Sequence, residues 1–73
     1  MKEEIAAVEA EIAQFEKERD ACLASIKALR AEEDPAAGVF RNTEIHAAQQ
    51  EKLRLDFEIQ YRKNRINRMR FGM

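Results

Sequence analysis

The chain predicts an all-α fold, an antiparallel two-helix coiled-coil hairpin that dimerises into a four-helix bundle. Three observations lead there. Apolar residues recur at alternating steps of three and four on both sides of one break. That break concentrates the only proline and one of the two glycines. The first part of the chain is acidic and the last part is basic, which suits two helices lying side by side in opposite directions.

The first helix is expected over residues 3–33, which contain neither Gly nor Pro and are rich in Ala, Glu and other strong helix formers. Ile5, Val8, Ile12, Phe15, Cys22, Ile26 and Leu29 form an a/d heptad seam, with Arg19 in its one polar slot. Glu3 and Glu4 suit the positive end of the helix dipole. Asp34-Pro35 ends the helix, because proline disfavours helical geometry in the residue before it and lacks an N–H. Gly38 is a second breaker, so residues 34–42 read as the loop.

Asn42 or Thr43 is the expected N-cap of a second helix over residues 43–70, with Glu44 in its first turn and fraying at Gly72. Its seam is Ile45, Ala48, Lys52, Leu55, Ile59, Arg62, Ile66 and Met69. Turning the chain at the loop sets residue 5 near 71 and residue 20 near 56. Residues 1–20 carry seven acids against three bases, a net of −4, and residues 61–73 carry five bases and no acid, a net of +5. Folding back therefore lays opposite charges along one another, which selects the register although each exposed pair contributes only about 0–1 kcal/mol. Arg19, Lys52 and Arg62 stand at seam positions. They are expected to pair with acids and fix register, Arg19 facing the Asp56–Glu58 region and Arg62 its own Glu58. The sharper alternative is an inter-subunit pocket in which these cations hold a nucleotide-like anion.

A hairpin of 73 residues is a single domain that buries only about 60% of its unfolded surface. Cys22 is the only cysteine and His46 the only histidine, so neither a disulfide nor a zinc cage can staple it. Self-association is the remaining route to stability. The second helix supports it: Leu53, Phe57 and Tyr61 form an i, i+4, i+8 row nearly opposite Ile59 and Ile66, a second apolar face. On the first helix Ala7, Ala10, Ala21, Ala24, Ala28 and Ala31 form a stripe that either admits another backbone or simply carries helix propensity. Val39 and Phe40 either close the end of the bundle or make Phe40 an exposed anchor.

Catalytic and cofactor motifs are lacking: there is no Ser/His/Asp set, no phosphate-cradling glycine loop and no HExxH pattern. Cys22 reads as a seam thiol and His46 as a solvated first-turn residue. No metal, cofactor or catalytic residue is expected. Nothing in the sequence matches a membrane span or a signal peptide, so the chain reads as cytoplasmic. The expected function is a non-enzymatic, homo-oligomeric interaction protein that docks on another protein, in the style of a phage or mobile-element (viral) accessory or inhibitor protein. Candidate partner residues are Phe40 and the basic group Arg62, Lys63, Arg65, Arg68 and Arg70. The alternative is an anion-binding module taking nucleic acid or a nucleotide through that basic group. The acidic neighbouring helix and the net charge of −1 weigh against it.

Overall fold

A computed structural model describes residues 2–72. Two α-helices, α1 (Lys2–Glu32) and α2 (Asn42–Phe71), are joined through one 3-10 turn at Pro35–Ala37. Among the described residues there is no strand, only an isolated bridge between Asp34 and Val39. The protein is an all-α helical hairpin measuring 57 × 17 × 12 Å. A helix of 31 residues is about 46 Å long at 1.5 Å per residue, so each helix runs most of the long dimension.

The turn between the helices is built by hydrogen bonds that the Asp-Pro and Gly residues make possible. Asp34 is extended (φ −138°, ψ 91°), as a residue before proline must be. Its carboxylate accepts from the Ala37 N–H at 3.3 Å. Asp34 and Val39 then exchange both backbone hydrogen bonds, at 2.8 and 2.9 Å. Closing so tight a loop needs a left-handed residue, which is Gly38 at φ 74°, its N–H donating to the Pro35 carbonyl at 3.2 Å.

Both ends of α2 differ from expectation. The cap position falls on Arg41, not on Asn42 or Thr43, and no side chain caps the helix. Arg41 sets its guanidinium 3.5 Å from Glu32 of α1, without a hydrogen bond from its buried Nε, and 3.4 Å from Glu44. Its carbonyl opens the helical ladder by accepting from Ile45. At the other end Gly72 is a left-handed cap (φ 69°) whose N–H donates to the Arg68 carbonyl, so the end is closed and not frayed.

The core is one seam between the helices. Val8, Ile12, Ile59 and Ile66 form a buried cluster with Ile5, Phe15 and Met69 packed against it. Ile26, Ile45 and Leu55 are also buried, and Leu55 is the most enclosed at 1% exposure. Cys22, Leu29, Ala48, Lys52 and Arg62 are half-buried along the same line. A single row of side chains per helix is all that two helices can enclose, so every other face is open.

Two stability measurements check this description, each at fixed protein concentration because association would shift the midpoint. Leu55→Ala removes the best-enclosed side chain and is expected to lower unfolding free energy by about 2–4 kcal/mol in urea titration. Gly38→Ala meets no neighbouring atom within 4 Å, so only the positive φ resists it. The expected loss is about 1 kcal/mol, and Gly38→Asn should lose less because asparagine tolerates this region better.

Candidate interaction surfaces

Charge at the seam is concentrated on Arg62. Its Nε donates to Glu11 of α1 at 2.7 Å. Its Nη1 donates to the Glu58 carboxylate at 2.6 Å and to the Glu58 carbonyl at 3.2 Å. The same guanidinium lies over the Phe15 ring, 4.5 Å from its centroid. Hydrogen bonds to Glu11 first and Glu58 second hold the guanidinium above its already high ordinary pKa, so the cation persists throughout the physiological range. Only 19% of the side chain is exposed, so solvent screens this arrangement less than it screens the outer ion pairs.

The other seam cations find partners on their own helices. Lys52 pairs with Asp56 at 2.7 Å, one turn along. Arg19, half-buried, makes its ion pair with its neighbour Asp20 at 3.2 Å and not with Asp56 or Glu58 as expected. Asp56 pairs with Lys52 and Glu58 with Arg62.

The five basic residues of the last segment do not converge. Arg62 is turned into the seam. Arg70 is held by Glu9 of α1 at 3.2 Å. Lys63 lies in a shallow groove between the helices with Glu9, Glu16, Gln60 and Arg70. Arg65 and Arg68 make no ion pair among the described residues and are exposed. Helical geometry sets them one turn and two turns beyond Tyr61, on a face away from Lys63. Arg62 and Arg70 are thus engaged within the hairpin, Arg62 by Glu11 and Glu58 and the half-exposed Arg70 by Glu9. Among the described residues, Arg65 and Arg68 are the two exposed cations of this segment without an ion pair on their face, while Lys63 and Arg70 share the groove on another flank.

Apolar exposure is the stronger surface feature. Leu53, Phe57 and Tyr61 are 57%, 70% and 52% exposed, a continuous ridge on the outside of α2. Phe71 lies four heptad-style turns beyond Phe57 and is as exposed as it is. Phe40 stands free beside the loop, whereas its neighbour Val39 is half-buried. The alanine stripe of α1 is exposed throughout. Leu23, missed on reading the sequence, is 45% exposed and lines a second groove with Ile26, Arg30, Gln49, Gln50, Lys52 and Leu53. Its signal was available, because it flanks the seam one residue after Cys22.

Cys22 is a half-buried free thiol and His46 is exposed. Among the described residues no group of His, Cys, Asp or Glu is arranged to hold a metal ion, and no helix is long and apolar enough to cross a membrane. Compared with known proteins, the chain matches no family model, no curated protein and no solved structure.

The Arg62 arrangement can be tested by Arg62→Met, which keeps the apolar stem and removes the charge. The expected loss is about 1–2 kcal/mol of unfolding free energy, from two partly exposed ion pairs and one cation–π contact. Arg54 pairs only with the exposed Glu51 beside it, and Arg54→Met should leave the midpoint unchanged within error. Equal effects of the two substitutions would refute a special role for Arg62.

Proposed function

We propose that this chain is a non-catalytic interaction protein: an antiparallel coiled-coil hairpin that pairs with a second copy to make a four-helix bundle and docks on another protein. The observation that carries this reading is the exposed Leu53–Phe57–Tyr61 ridge, too much contiguous apolar surface for a lone hairpin to leave in water. The antiparallel arrangement draws support from ion pairs that join residue 9 to 70 and residue 11 to 62. Phe40, Arg65 and Arg68 remain exposed for the further protein partner. A cytoplasmic setting suits a fold with one free thiol.

A second reading keeps Arg65 and Arg68 as a small anion-binding pair next to Tyr61, for nucleic acid. Two phosphate contacts would give only a shallow dependence of affinity on salt, a log–log slope of about −2.

Light scattering at about 10 μM is expected to return at least twice the chain mass of 8.5 kDa. Leu53→Glu should move the mass toward one chain with helix content retained by circular dichroism. A well-folded wild-type monomer at that concentration would remove the oligomer reading. For the second reading, an oligonucleotide titration in which Arg65→Ala and Arg68→Ala leave affinity unchanged would exclude nucleic acid at this pair.

A further inference from the structure

One flank of the hairpin carries a charge pattern that reads the same, with sign reversed, in both directions. Along α1 the residues Glu16, Asp20, Leu23, Lys27 and Arg30 follow one another at steps of four, three, four and three. That heptad spacing sets them in one stripe beside the seam. Measured from Leu23, acids stand seven and three residues before it, and bases four and seven residues after it. Glu16, Lys27 and Arg30 make no ion pair among the described residues, and Asp20 pairs only with its exposed neighbour Arg19. Unpaired charges in such an order are complementary to a second copy of the same helix running the other way.

The second helix agrees. Leu53 lines the same groove as Leu23, so both helices offer an apolar side chain at one level. On that flank of α2 the residues before and after Leu53 are His46, Gln49, Asp56 and Gln60, and Asp56 is already satisfied by Lys52. Reversal about Leu53 therefore brings no two like charges together.

We infer that the hairpin dimerises through this flank, about a two-fold axis passing at the level of Leu23 and Leu53, with the two loops at opposite ends. The inference rests on the homo-oligomer reading above and gives it a specific interface. Leu23 and Leu53 meet their own copies at the axis. Glu16 faces Arg30 of the second copy, and Asp20 faces Lys27. An arrangement with both loops at one end would set Lys27 and Arg30 opposite His46 and Gln49, leaving the bases without partners. Because Leu53 is nearer the start of α2 than its end, about the last two turns of α2, residues 65–71, project past the overlap on each side, with Arg68 uncovered.

The test uses charge reversal and site-directed cross-linking on the full chain. Glu16→Arg alone and Arg30→Glu alone each set like charges together twice per dimer. Each is expected to raise the dimer Kd roughly tenfold at low salt, and an equimolar mixture of the two should recover wild-type affinity as heterodimers. Recovery on mixing also separates an interface effect from a folding defect. In a Cys22→Ser background, Leu23→Cys should join copies through a short bis-maleimide, and Ala10→Cys should not. A dimer that ignores both reversals, fails to recover on mixing, or cross-links through residue 10 in place of residue 23 overturns this interface while leaving the oligomer reading intact. A wild-type chain that stays monomeric overturns both.

Discussion

The structure depends on how Arg62 is held. An apolar heptad seam cannot by itself choose a register, because sliding one helix by seven residues returns apolar side chains to apolar positions. Arg62 breaks that degeneracy. Its planar guanidinium needs Glu11 on the opposite helix, Glu58 on its own and the Phe15 face at once. A shift of one heptad would keep Glu58 and bring Glu4 or Glu18 to the place of Glu11, but it would set Val8 or Cys22 under the guanidinium in place of the Phe15 ring. Specificity here is obtained from a polar group within a line of Ile, Leu and Val, at some cost in hydrophobic burial.

The turn cooperates with that register. Asp34, Pro35 and Gly38 form a closed unit through backbone hydrogen bonds, and Arg41 ties the start of α2 back to Glu32 at the end of α1. Chain reversal is therefore held at the loop end by hydrogen bonds and at the open end by Glu9 and Arg70. Between them, the clustered Val8, Ile12, Ile59 and Ile66 exclude water.

This use of charge also limits what the surface can do. The basic last segment is a continuous string of cations in the sequence, but its side chains are distributed over several faces of the hairpin. With α1 alongside, Arg62 and Arg70 pair with its Glu11 and Glu9, and Arg65 and Arg68 lie on a different face from Lys63. What stays available is apolar: the Leu53–Phe57–Tyr61 ridge and the Leu23 groove. Surfaces of this kind associate through burial, with the surrounding charges deciding orientation.

Two helices, their break and the all-α class were legible in the sequence, because heptad spacing, an Asp-Pro step and helix-forming composition are local properties of the chain. Opposite net charges in the two halves were legible for the same reason. The individual partners were not. Arg19 was expected to pair with the Asp56–Glu58 region, yet it pairs with Asp20 while Asp56 pairs with Lys52 and Glu58 with Arg62, a choice of partners that depends on side-chain positions. Arg41 stands at the cap position in place of Asn42, close to Glu32 only because the chain turns back there. The sequence by itself determined that there would be two amphipathic helices of opposite charge. The tertiary structure decided which cations are consumed in pairing and which apolar residues are left outside, because both depend on distances between residues far apart in the chain.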